Sequence, residues 1–100
     1  MKVQNMTGRT GKNVANQFII TDEGHGNLGN FSKREAFQSY NRTIAVITIW
    51  PDVTEIQLDR IYWDYSVTTG KYRNQFLGET KKETEKKIKD GIYKLVDLNA

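Results

Sequence analysis

The sequence predicts an α+β fold, one antiparallel sheet of four or five strands carrying two helices late in the chain. Three observations carry that expectation. Runs of β-branched and apolar residues at 14–20, 43–50 and 53–58 have strand composition and are separated by turn residues. Two later stretches hold helix start and stop signals, Ser66 with Gly78 and Thr80 with Asp90-Gly91. One hundred residues, 37% hydrophobic and 27% charged, suffice for one core and leave no room for a second domain.

Taken in order, residues 1–13 are polar, carry Lys2, Arg9, Lys12 and two glycines, and lack an apolar period. A flexible basic arm is expected there, with residues 14–100 forming the single α+β domain. Val14, Ala15, Phe18, Ile19 and Ile20 make a strand-like run that ends at Thr21-Asp22-Glu23-Gly24. Ser32 and Glu35 have capping-box spacing, yet Phe37-Gln38-Ser39-Tyr40 runs straight into a turn, which favours a strand over 35–40. Asn41-Arg42 then turns the chain into its partner, 43–50. That run is apolar on both faces, with Ile44 and Val46 on one and Ala45, Ile47 and Ile49 on the other, so a central strand is expected.

Pro51-Asp52 breaks the run, and 53–58 offers a further strand leading through Asp59-Arg60 to Ile61, Tyr62 and Trp63. Ser66 caps a helix over 67–77, with Tyr72 and Phe76 four apart on one face. Trp63 and Phe76 are expected inside, Tyr65 and Tyr72 divided between core and rim, and Lys71 and Arg73 on the outer face. Thr80-Lys-Lys-Glu83 is a capping box opening a second helix to about Lys89, with Thr80, Thr84 and Ile88 facing inward. Residues 92–98 can close the sheet.

The chemistry-bearing patterns are sparse. Gly24–Gly29 satisfies G-x-G-x-x-G, but neither a long helix nor a parallel βαβ continuation follows, so a Gly-rich hairpin loop is expected and no cofactor. Gly8-Arg9-Thr10-Gly11-Lys12 evokes a phosphate-binding loop, yet Met6 and Asn13 stand where Walker A needs Gly and Ser or Thr. His25 is the one histidine and cysteine is absent, which leaves a zinc site without its usual ligands and disulfides excluded. No nucleophile elbow accompanies the serines, and a non-enzymatic role is expected. No apolar run approaches a membrane span or a signal-peptide core, so a cytoplasmic protein whose mature chain starts near Met1 is expected.

Fifteen Lys and Arg against twelve Asp and Glu leave a mild net charge of +3. Such an excess permits contact with nucleic acid or an acidic protein without marking a dedicated nucleic-acid binder. Five lysines fall on the second helix, where i, i+4 pairs such as Glu83–Lys87 and Glu85–Lys89 describe a solvated face. The candidate partner-binding residues are Tyr65, Lys71, Tyr72, Arg73, Lys82 and Lys86, since tyrosine supplies rigid contact area and the cations supply charge. Their partner is expected to be a protein or, in the alternative, nucleic acid.

Phe37-Gln38-Ser39-Tyr40 with Ile44-Ala45, then Tyr62-Trp63-Asp64-Tyr65-Ser66 with Thr68-Thr69 and Lys71-Tyr72, then Phe76-Leu77-Gly78 carry a resemblance across about Val14 to Asn99. The chain resembles small proteins of phages and mobile elements of Gram-positive bacteria, grouped as a domain of unknown function. Relatives have a shorter turn where Gly24 to Arg34 stands, and the family supplies no catalytic residues. What the resemblance implies is a setting. Accessory proteins of such elements bind and disable host defence proteins, so an anti-CRISPR inhibitor of a Cas nuclease in the bacterial cytoplasm is expected. The alternative is a small basic nucleic-acid-binding regulator.

Overall fold

The structure, a computed structural model, describes residues 1–27 and 30–100. Six strands form one sheet in the order β1-β2-β3-β4-β5-β6. These are β1 (Lys2–Thr7), β2 (Asn13–Glu23), β3 (Lys33–Ser39), β4 (Arg42–Ile49), β5 (Thr54–Asp59) and β6 (Lys94–Val96). Helices α1 (Val67–Leu77) and α2 (Lys81–Lys89) lie between β5 and β6. The first five strands form an antiparallel meander, and β6 returns parallel to β5. A parallel return requires a long crossover, which the two helices provide.

The sheet therefore has six strands rather than four or five, and the extra one comes from the expected arm. Lys2–Thr7 pairs with β2 from Lys2↔Thr21 to Thr7↔Asn13. Gly8 and Gly11 close the turn, with the Gly8 N–H donating to the Lys12 carbonyl at 2.9 Å and Gly11 at φ +79°. One apolar side chain holds this strand down: Met6 is buried among Phe37, Ile44 and Tyr72.

Both helices start and stop where their local signals stand. Ser66 Oγ accepts from the Thr69 N–H at 3.1 Å, and Gly78, at φ +69°, returns its N–H to the Asn74 carbonyl. Thr80 and Glu83 close a reciprocal capping box. On α2 Thr84 is fully buried and Ile88 packs on the core, while Thr80 stays exposed.

The helices cover one face of the sheet. Phe37, Ile44 and Leu58 are fully excluded from solvent, each worth about 1.5–3 kcal/mol relative to exposure. Phe76 joins the two halves of the core, its ring 5.8 Å from that of Phe37. The alternation expected along β4 fails at one point. A register shift opposite Phe37/Gln38 inserts an extra residue, so the neighbours Ile44 and Ala45 both pack into the core, and Ile44 no longer shares a face with Val46.

The expected strand continuation through Tyr62 and Trp63 is instead a turn. Asp59 explains it. Its carboxylate, 1% exposed, accepts from the Ile61 and Tyr62 N–H groups at 3.1 and 2.8 Å and from the Leu98 N–H at 2.9 Å. A side chain that bonds the backbone two and three residues on bends the chain out of the sheet. Beyond β6, Asn99 takes the place of a strand against the end of β4. Its carboxamide accepts from the Thr43 N–H at 2.8 Å and donates to the Thr43 carbonyl at 2.9 Å.

The Gly-rich loop begins with Gly24, whose N–H donates to the Ser32 carbonyl at 2.9 Å; a side chain there would collide with the Phe31 carbonyl. His25 is exposed. Leu28 and Gly29, the end of that motif, lie outside the described residues.

Candidate functional site

Two open hollows sit side by side at the N-terminal end of α1, sharing Ser66. The first, about 690 Å³, lies between the β3–β4 hairpin and the turn ahead of α1, and is lined by Ser39, Tyr40, Arg42, Tyr62, Tyr65 and Thr68 among others. The second, about 590 Å³, is lined by Asp64, Val67, Lys71, Arg73, Asn74 and Lys81 among others.

The chain builds the first hollow from two distant segments. Asp59 holds the turn that presents Tyr62 and Tyr65, whose rings meet edge to face at 5.6 Å. Across from them, the guanidinium of Arg42 lies 4.8 Å from the centre of the Tyr62 ring. Tyr40 closes the hairpin at φ 57°, a backbone region tyrosine enters only at a cost. Its N–H donates to the carbonyl of Asn16, itself at φ 65°, and its carbonyl accepts from Gln38 Nε2 at 2.8 Å. A left-handed residue in β2 and one in the β3–β4 turn are thus tied together.

Behind this hollow the interface between sheet and α1 is polar. Ser39 Oγ and Thr69 Oγ1 share a 2.9 Å hydrogen bond, both residues buried. Gln17, opposite Ser39 in register, is fully buried and its carboxamide has no partner among the described residues. A buried amide left without a partner costs stability.

The second hollow is organised by an ion cluster. Arg73 Nη1 donates to the Trp63 carbonyl and to Asp64 Oδ1, both at 2.9 Å, and Nη2 donates to Asn74 Oδ1 at 2.9 Å. Lys81 reaches the other oxygen of Asp64 at 2.7 Å. Burial pushes the Asp64 carboxyl up, but the bonds from Lys81 and Arg73 outweigh it and hold the group below the ordinary carboxylate value. The Asp64 bond in turn raises the Lys81 ammonium.

The residues expected to bind a partner are thus dispersed. Tyr65 is exposed on the first hollow, and Lys71 is exposed on the second. Arg73, expected on the outer face of α1, is 1% exposed and ties the Trp63–Asp64 turn to the helix. Tyr72 is buried against Met6, Phe37 and Ile44, while Trp63 and Phe76 are half-buried. Lys82 is exposed on α2, and Lys86 pairs with Asp90 at 2.7 Å.

The expected Glu83–Lys87 pair gives way to Lys87–Glu79 at 2.8 Å, with Tyr93 donating to the same Glu79 oxygen at 2.6 Å. Glu79, just ahead of the Thr80 cap, is the better partner because its side chain is 4% exposed and is also held by Thr84 and Tyr93. Burial raises the Glu79 carboxyl, and the bonds from Lys87, Thr84 and Tyr93 more than reverse it. Three of the five lysines of α2 are therefore committed to carboxylates. Sequence reasoning missed Tyr40 and Arg42, which stand some twenty residues before Tyr62, in a hairpin whose strain a tyrosine does not announce.

Fold and surface define a small α+β protein with a tyrosine- and cation-lined surface and, among the described residues, no group of His, Asp and Glu able to hold a metal ion. The chain belongs to the Family of unknown function (DUF8033), matched over residues 1–91. The match begins at residue 1 and not near Val14, so β1 lies within the shared region and β6 beyond it. Comparisons with curated proteins and with solved structures found no match. No helix among the described residues is long and apolar enough to cross a membrane.

Proposed function

We propose that the protein is a non-enzymatic accessory protein that binds a partner protein through the surface around the first hollow. The observation that carries this reading is the exposed cluster of Tyr40 and Tyr65, 50% and 62% exposed, beside Arg42. Tyrosine and arginine dominate the energetics of protein interfaces, and Ile61 and Val67, both exposed, extend the apolar area. Lys71, which lines the adjoining second hollow, would stand at the edge of that contact. The neutralised lysines of α2 favour a protein over nucleic acid, whose phosphates call for a segregated basic face. The mobile-element setting implied by the resemblance makes the partner a host defence protein in the bacterial cytoplasm, foremost a CRISPR-Cas nuclease.

The test is capture by the tagged protein from lysate expressing a type II CRISPR system, with and without nuclease, at low and high salt. The expected result is a stoichiometric protein partner that survives both treatments and is lost with Tyr65→Ala. Recovery of nucleic acid alone, released steeply by salt, would replace this reading with that of a nucleic-acid-binding regulator.

A further inference from the structure

We propose that the hollow between the β3–β4 hairpin and the turn ahead of α1 receives an acidic side chain of the protein partner, with Arg42 as its counter-ion and Tyr40 as its wall. This rests on the protein-binding reading above and names the chemistry of the contact. Three observations converge on it.

The first is electrostatic. Arg42 is exposed and makes no ion pair among the described residues, whereas Arg73, Lys81, Lys86 and Lys87 each hold a carboxylate. Its guanidinium is positioned by the Tyr62 ring and not by an acid. A guanidinium held against a ring face, with no acid bound, keeps its N–H groups for a ligand, and a carboxylate can take two of them in a bidentate pair.

The second is the lining. In a chain with twelve Asp and Glu, none lines this hollow. Ser39 and Ser66 spend their hydroxyls on Thr69, which leaves the hydroxyls of Tyr40, Tyr62, Tyr65 and Thr68 and the amide of Asn41 to face it. Hydroxyls can donate to an anion, and without a competing carboxylate the charge of Arg42 is left to the incoming group. At about 690 Å³ the hollow is larger than one carboxylate side chain, so a neighbouring apolar residue of the partner fits against Tyr65.

The third is strain. Tyr40 sits at φ 57° in a two-residue turn, where Asn or Gly would stand at lower cost. Its side chain is half exposed, so burial does not repay that conformation. A strained residue held by hydrogen bonds on both sides and facing a hollow marks a contact residue.

The test is a titration of the intact protein, followed by amide ¹H–¹⁵N spectra, with three capped tripeptides: acetyl-Tyr-Glu-Leu-amide and its Gln and phosphoserine counterparts. Expected are saturable shifts at Tyr40, Arg42 and Thr68, with the Glu or phosphoserine peptide at least about fivefold tighter than the Gln peptide. The two anionic peptides distinguish a carboxylate from a phosphate. Arg42→Gln should bring all three within about twofold of one another. Tyr40→Asn should weaken anionic binding while the melting temperature holds or rises, an outcome a merely structural tyrosine would not give.

Equal affinity for the Glu, phosphoserine and Gln peptides, or no saturable shift up to about 20 mM, overturns the proposal. Tighter binding of a ten-residue oligothymidylate at the same amides overturns it too. Capture of the partner by Arg42→Gln but not by Tyr65→Ala would leave the protein-binding reading standing and remove the acidic contact.

Discussion

Arg73 gives the most exposed wager on the geometry, because the residue is a surface cation by sequence and a buried tie by structure. Its guanidinium makes three bonds of 2.9 Å, to the Trp63 carbonyl, Asp64 and Asn74, and lies over the Trp63 ring at 5.2 Å. Arg73→Met keeps most of the stem and its packing but removes all three. Breaking a buried ion pair costs roughly 3–5 kcal/mol when the partner is left bare. Asp64 is not left bare, since Lys81 stays at 2.7 Å, so the loss belongs near the lower bound, about 3 kcal/mol. For a chain this short that lowers the melting temperature by on the order of 15 °C. Circular dichroism melts and urea titrations of Arg73→Met and Arg73→Lys measure it. The lysine variant should fall between, keeping the charge and losing the fork. A loss under about 1 kcal/mol for Arg73→Met would return Arg73 to the solvent-facing side of α1 and refute the tie.

Other expectations follow from the same contacts. Gln17→Met removes a buried carboxamide that lacks a protein partner and should stabilise by about 1–3 kcal/mol in urea titrations; a loss of that size would mean the amide is hydrogen-bonded in solution. Gly78→Ala should cost about 1–2 kcal/mol of thermal stability purely through its backbone, because φ is +69° and no atom lies within 4 Å of an added Cβ. Asp59, Asp64 and Glu79 all have carboxyls held below their ordinary values, so each favours the folded state when ionised. That contribution is complete above the unfolded carboxylate range and drains away as pH falls below about 4. Urea titrations at pH 7 and pH 3 should reveal it, and Glu79→Gln should flatten the difference; a profile unchanged by that substitution would discount the Glu79 cluster.

The elements legible in the sequence are those whose signals are local. Ser66 with Gly78 and the Thr80–Glu83 box mark both helices to the residue, since a cap needs only neighbours three or four positions away. Strand β1 was not legible, because nothing in Lys2–Thr7 is apolar in a regular period and its place depends on pairing with β2 and on one buried methionine. The same holds for Ile44, which faces the helices only because the register slips opposite Phe37. Arg73 reads as exposed until the Trp63 carbonyl, Asp64 and Asn74 are brought around it. Of the surface, Tyr65 stood out in an aromatic cluster. Arg42 did not, because its partner Tyr62 is supplied by a different strand connection.

Asn99 sets up a reporter for motions smaller than unfolding. The Thr43 amide is held by a side chain three residues beyond the last strand, not by a ladder of backbone bonds. Strand β6 itself has only three paired positions, and two residues past the last of them comes the Leu98 bond to Asp59. Release of this tail would free Thr43 and Leu98 to exchange their amide protons while the meander stays paired. Hydrogen exchange at those two amides would then run faster than at Ala45 or Leu58, and at a common rate. The C-terminal clasp would thereby have its own opening equilibrium, measurable one amide at a time in the intact chain.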